Sequence, residues 1–276
     1  MLMSTQANRY AHRLIDARAD SQLIVPLSAE APLTLADAYE VSKRILDIRI
    51  AQGEAPVGRK IGFTNRTIWS RYGVAEPIQA PIWGPLYEST VRYARDNHGV
   101  QSLAGAQQPR IEPEVVFRLG KAPTPGMSVE ALAGCIEWMA HGIEIVVSPF
   151  PGWKFEAADA VAAFGLHGTL IVGEPQQLTQ AGRRKLCEVL ADASVSISCD
   201  DRLQAAGFGS DVLDSPVKAL WHLHQVLQEQ PQFAPLAAGE IITTGTWTDA
   251  YPVAPGQTWV TAFSGITLPG LTLSFV

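Results

Sequence analysis

Residues 110–120, RIEPEVVFRLG, hold two carboxylates, Glu112 and Glu114, inside a run of strand-forming apolar residues. Side chains two apart on an extended strand share a face. Glu112 and Glu114 therefore converge on one side, with Ile111, Pro113 and Val115 on the other. Carboxylates that close repel, and in an apolar setting one keeps its proton unless a cation sits between them. The strand thus demands a positive partner. A third carboxylate, Glu144, lies in HGIEIVVS between Ile143, Ile145 and Val146, a segment too apolar for a solvated edge. Three oxygen donors suit a hard divalent ion, Mg²⁺ or Mn²⁺, with water or a bidentate substrate filling the octahedron. On spacing alone a second reading stands beside it: Glu112 and Glu114 face solvent on an amphipathic strand, and Glu144 pairs with a lysine or arginine.

The surrounding pattern predicts helices at 4–18 and 34–51, the latter from Leu35, Ala38, Val41, Ile45 and Ile48 behind an N-capping Thr34. A short strand is predicted at 57–62, a helical turn capped by Thr64 runs through Trp69, and Pro77 and Pro81 impose a loop to about residue 90. Strands follow at 111–119, 142–147, 166–172, 193–199, 240–244, 257–263 and 267–275. Helices intervene at 128–139, 176–190 and 215–229, the last with Pro216 in its first turn. Strands irregularly spaced and not each followed by a helix predict a mixed α+β fold behind a smaller helical N-terminal region.

Among 276 residues, 47% are hydrophobic and 17% charged, as in a globular enzyme. The net charge of -6, with no basic block, removes nucleic acid and anionic membranes as partners and favours small molecules. Cys135, Cys187 and Cys199 are odd in number and form no CxxC pair, which points to buried thiols in a reducing compartment. Charges interrupt the N-terminal residues before a signal-peptide core develops, so a cytoplasmic protein is expected. No GxxxxGK[ST], strand-linked GxGxxG or GxSxG is present, which removes the common nucleotide and acyl-enzyme readings.

Five segments in order, GRKIGFTNRTIWSRYGV (58–74), RIEPEVVFRLG (110–120), IEIVVSP (143–149), GWKFEAADAVA (152–162) and GEIITTGTWTDAYPVAPGQTWVTAF (239–263), resemble the 2-keto-4-pentenoate hydratase and 4-oxalocrotonate decarboxylase branch of the fumarylacetoacetate hydrolase superfamily. The likeness spans nearly the whole chain. It implies a mixed, curved β-roll core over about 76–276 with a helical region over 1–75. It also implies a Mg²⁺ or Mn²⁺ ion on Glu112, Glu114 and Glu144, a 2-oxo acid substrate chelated by that ion, and a homo-oligomer. Lys60 matches an active-site lysine. In the turn after an apolar strand, Thr244, Gly245 and Thr246 are candidate donors to an anionic substrate group; an ordinary β-turn fits the same residues.

The likeness breaks at Ile78 and Gln79, at Val147 and Pro149, and at Ala163–Gly168, where the family carries an aspartate, an acid and an arginine, and an Asp-Asn-Ser pattern respectively. His167 becomes the candidate for moving protons, because an imidazole titrates near neutrality, with His141 as the weaker rival. Trp83, Tyr87 and Trp153 form a candidate apolar wall, and the lost acid and arginine point to a substrate without a distal carboxylate. The expected activity is hydration of a 2-hydroxy-2,4-dienoate through an enolate. The alternatives are decarboxylation or C–C hydrolysis of a related 2-oxo acid, or a non-catalytic 2-oxo acid binder.

Overall fold

Local capping starts most of the long helices. In the computed structural model, which describes residues 4–65 and 81–276, Thr34 and Asp37 form a reciprocal capping box at the start of α2 (Leu35–Ala51). A cap of this kind is worth about 1 kcal/mol. Thr179 and Ser215 cap α5 (Gln180–Asp192) and α6 (Pro216–Gln228) in the same way, each accepting from a backbone amide. The other helices are α1 (Ser4–Ala19), α3 (Val129–Ala133) and α4 (Ala157–Ala162). No helix among the described residues is long and apolar enough to cross a membrane.

The strands, in chain order, are β1 (Pro56–Gly62), β2 (Ile82–Tyr87), β3 (Val91–Tyr93), β4 (His98–Gln101), β5 (Arg110–Leu119), β6 (Ile136–Val146), β7 (His167–Val172), β8 (Gln176–Gln177), β9 (Ser194–Cys199), β10 (Arg202–Phe208), β11 (Ile241–Thr243), β12 (Tyr251–Pro252), β13 (Thr258–Ser264) and β14 (Thr272–Phe275). They form two mixed sheets. The larger runs β2-β1-β11-β5-β6-β7-β3, with β12 added on β5 and β8 on β6; the smaller runs β10-β9-β13-β14-β4. Ile111, Ile143, Ile145 and Ile171 of the large sheet pack against Ile197, Trp259, Leu271, Leu273 and Phe275 of the small one. A larger core joins the large sheet to α1, α2, α4, α5 and α6.

Three expectations change. The helix read over 128–139 stops at Ala133, and β6 begins at Ile136. This strand lies between β5 and β7 and is buried along nearly its whole length, so its apolar run has no periodicity that separates strand from helix. The loop read up to residue 90 contains β2, in which Pro85 is tolerated because β2 is an edge strand. The sheet also begins ahead of residue 76: β1 pairs in parallel with β11, opposing Lys60 to Thr243. The helical turn through Trp69, and Pro77, Ile78 and Gln79, fall outside the described residues apart from Thr64 itself. All three cysteines are free; Cys135 and Cys199 are buried and Cys187 half-buried.

Candidate metal centre and its cleft

The register of β5 and β6 sets Glu112 directly opposite Glu144, with Glu114 one pleat further along opposite Gly142. The three side chains each offer an oxygen, and these oxygens lie within 4.8 Å of one another. Like charges directly across a sheet repel. Here two of the three carboxylates are also fully buried, Glu114 and Glu144. The face they share continues into an apolar cluster that includes Val116, Ala140, Leu170 and Ile241, so little solvent screens them.

Each carboxylate is held from a different strand. Glu114 Oε2 accepts the Gly245 amide at 2.6 Å and the Thr243 hydroxyl, while its Oε1 accepts no hydrogen bond. Gly245 cannot be exchanged: its φ is 97°, and a Cβ there would lie 1.8 Å from Thr64 Oγ1. Glu144 Oε1 faces His167 Nδ1 at 2.7 Å, and its Oε2 lies 3.2 Å from Lys60 Nζ, with no hydrogen bond of good geometry.

The electrostatics follow from that packing. Burial, reinforced by Glu144, pushes Glu112 up to about 7 against the pull of Lys60 and Arg110. Burial, then Glu144 and Glu112, hold Glu114 well above the usual carboxylate range. Burial would raise Glu144 too, but Lys60 and the His167 hydrogen bond outweigh it and bring it down to about 2. Burial works to lower Lys60, yet the three carboxylates win and raise it, so it stays an ammonium. One ammonium among three carboxylates leaves two negative charges without a counterion. An all-oxygen donor set with two unbonded buried oxygens therefore fits a hard divalent cation.

His167 sits behind Glu144 and not in the cleft. It is 1% exposed, its Nε2 lies 2.8 Å from Thr90 Oγ1, and burial lowers its pKa despite Glu144. A β-bulge between Ile145 and Val146 sets it there. The preceding Phe164, Gly165 and Leu166 form a left-handed turn, with φ of 59°, 62° and 63°. Each non-glycine residue there costs about 1–2 kcal/mol. Arg18 anchors the turn by donating to His167 O at 2.8 Å and Gly168 O at 3.2 Å and lying 4.7 Å over the Phe164 ring. The rival His141 is a core histidine, bonded to Glu114 O at 2.9 Å and Thr261 Oγ1 at 2.7 Å, and burial lowers it to about 4.

A cleft opens beside Lys60 and Glu112, lined also by Thr64, Asn65, Gly245, Thr246 and apolar side chains. Trp83 is not among its lining residues. Its indole lies in the core, stacked on Tyr39 at 5.7 Å and edge-on to Phe233, with Nε1 bonded to Gln230. Of the expected aromatic wall, Trp153 lines the cleft and Tyr87 does not. Thr244 also points elsewhere, its hydroxyl donating to Val115 O at 2.8 Å, and the Thr246 hydroxyl donates to Thr248 O. Val147 belongs to a different depression, beside Arg18 and Gly168, so an acid there would not face the carboxylates from this backbone.

Thr64 is the residue that sequence reasoning passed over as a helix cap. Its hydroxyl is buried, lines the cleft and has no hydrogen-bond partner among the described residues. The signal was its place four residues after Lys60 in the same strand and turn.

Comparison with known proteins agrees with this geometry. Residues 72–269 match the family model described as fumarylacetoacetate (FAA) hydrolase C-terminal. The chain is 30% identical over 256 residues to a 2-hydroxyhexa-2,4-dienoate hydratase of Comamonas testosteroni, covering 92% of each chain. It is 29% identical to a 4-oxalocrotonate decarboxylase of Pseudomonas sp, over 90% of this chain and 91% of that one. The structure of 4-oxalocrotonate decarboxylase from Pseudomonas putida G7, complexed with magnesium and adipate, superposes with a TM-score of 0.87 at 25% identity, covering 100% of this chain and 99% of that one. With a matching sequence model, full-length relatives and a shared fold, the chain belongs to the fumarylacetoacetate hydrolase family.

Proposed function

We propose that the protein is a divalent-metal-dependent hydro-lyase that adds water to a 2-hydroxy-2,4-dienoate. The observation that carries the reading is the trio of carboxylates around one point, with a single ammonium beside them. Glu112, Glu114 and Glu144 would hold Mg²⁺ or Mn²⁺, which supplies Lewis acidity toward the 2-oxo and carboxylate oxygens of a chelating substrate.

The chain's own residues do the rest. Lys60, kept protonated by the carboxylates, places a fixed positive charge where negative charge develops as protons move at C3 or C5. Its stem packs under Gly165, where a Cβ would come within 3.1 Å of Lys60 Cδ, so the left-handed turn restricts its motion. His167 does not touch the cleft; it orients Glu144 through Nδ1 and is a positioning residue. The unpartnered Thr64 hydroxyl is free to bond a substrate oxygen, and the Gly245 amide fixes Glu114. A cytoplasmic homo-oligomer acting on a small 2-oxo acid belongs to the same reading, supported by the sequence resemblance.

The test is turnover of a 2-hydroxy-2,4-dienoate by the Mn²⁺-loaded protein, followed by loss of the diene absorbance and by product analysis. Formation of a 4-hydroxy-2-oxo acid, abolished in Lys60→Ala, is the expected result. Release of CO₂, or of two acids, would move the assignment to decarboxylation or C–C hydrolysis at the same site. Binding of oxalate without turnover would leave a 2-oxo acid binder.

A further inference from the structure

The cleft has two chemically distinct ends. Lys60, Glu112 and the free Thr64 hydroxyl are polar; beyond them the lining is Ile82, Val146, Trp153, Phe155 and Leu166. Among the described lining residues Lys60 is the one cation, and it is engaged with Glu144 at 3.2 Å.

The apolar end is built, not incidental. Trp153 is 9% exposed, its Nε1 donates to Gln108 O at 3.0 Å, and the Arg110 guanidinium lies 4.4 Å from the centre of its ring. Phe155 flanks it at 6.1 Å. The turn that delivers the indole uses left-handed backbone at Gly152 (φ 64°) and at Trp153 itself (φ 60°), a conformation unfavourable for a bulky side chain. A rigid aromatic wall held in that way offers dispersion contact and no hydrogen bond to a charged group.

We propose that this wall selects the substrate: the dienoate carries an uncharged alkyl or aryl group at the end far from its 2-oxo acid head, and a second carboxylate there is rejected. Trp153 and Phe155 are the specificity-determining residues. The inference rests on the hydratase reading above and narrows its substrate class. A distal carboxylate would lose its hydration against Trp153 and Phe155 without gaining a cation, and it would lie in the field of Glu112.

The experiment compares two dienes with the Mn²⁺-loaded protein: 2-hydroxyhexa-2,4-dienoate, which ends in methyl, and the same diene with a carboxylate in place of that methyl. The kcat/KM should favour the methyl-ended diene by on the order of 100-fold. In Phe155→Arg, at a half-buried position, that ratio should fall tenfold or more, while the thermal shift given by Mn²⁺ plus oxalate, which occupies the head end alone, stays as in the parent. Equal or faster turnover of the dicarboxylate overturns the inference and leaves the hydratase reading intact. An unchanged ratio in Phe155→Arg, with the oxalate shift retained, overturns the role of this wall. Turnover of neither diene overturns the hydratase reading and this inference with it.

Discussion

Strands β5 and β6 present opposite chemistries on their two faces, one residue apart. On one face Glu112, Glu114 and Glu144 gather with Lys60. On the other, Ile111, Ile143 and Ile145 pack against the smaller sheet. Both faces are largely desolvated, yet burial stabilises the fold on the isoleucine face and strains it on the glutamate face. The difference teaches how the stability and the reactivity of one β-ladder are divided: the hydrophobic face fixes the register, and that register holds three carboxylates together against their repulsion.

Substitution on the two faces should therefore have opposite signatures. Glu112→Gln should cut turnover roughly 1,000-fold and abolish the Mn²⁺-dependent thermal shift. The same change should raise the melting temperature of the metal-free protein at pH 8, because it removes one of the mutually repelling carboxylates. A fall in that temperature would break the comparison. Ile143→Ala should do the reverse: a destabilisation of about 2–5 kcal/mol in chemical denaturation, with the Mn²⁺ affinity of the folded protein unchanged.

The two buried histidines sharpen the contrast. Both are 1% exposed and both use both ring nitrogens. His167→Asn should weaken Mn²⁺ binding in calorimetry by about 10- to 100-fold, since Glu144 loses its orienting partner. His141→Asn should lower stability and leave Mn²⁺ affinity as it was, because His141 meets the backbone of Glu114 and not its carboxylate. Equal losses of affinity in the two variants would make both histidines structural.

The smallest effect is with pH. Glu112 is raised when folded, to about 7 from an ordinary 4.5, so the folded metal-free protein holds more protons than the unfolded chain between those values. Its contribution to stability therefore falls as pH rises from 4.5 through 7. Glu144, held down to about 2, contributes stability that is lost only as pH drops below its ordinary value, a separate window. The expected observation is a thermal shift by Mn²⁺ that grows from pH 5.5 to 7.5, because the ion displaces protons from the site. A shift independent of pH would mean that the carboxylates are already ionised without metal.

Much of this was readable in the residues. The caps at Thr34 and Ser215, the strands around Glu112 and Glu144 and the shared face of Glu112 and Glu114 all follow from local chemistry, since caps and strand alternation act within a few residues. The 128–139 segment misled because β6 is buried from both sides, and burial from both sides erases the periodicity from which secondary structure is read. Trp83 and Trp153 show the other limit. Both are tryptophans in loop-like, proline- or glycine-rich sequence, yet one lies in the core and one lines the cleft. That choice depends on β1 pairing with β2 and on the turn at Gly152, and no local pattern encodes either partner.

By itself, then, the sequence determined that three acids would lie on strands and that two of them would share a face, because the alternation of an extended chain is a property of its own backbone. Whether those acids met one another, which histidine stood behind them, and which tryptophan faced the substrate were decided only by the tertiary structure. Each depends on register between strands far apart in the chain, and register is set by the sum of contacts across the whole sheet.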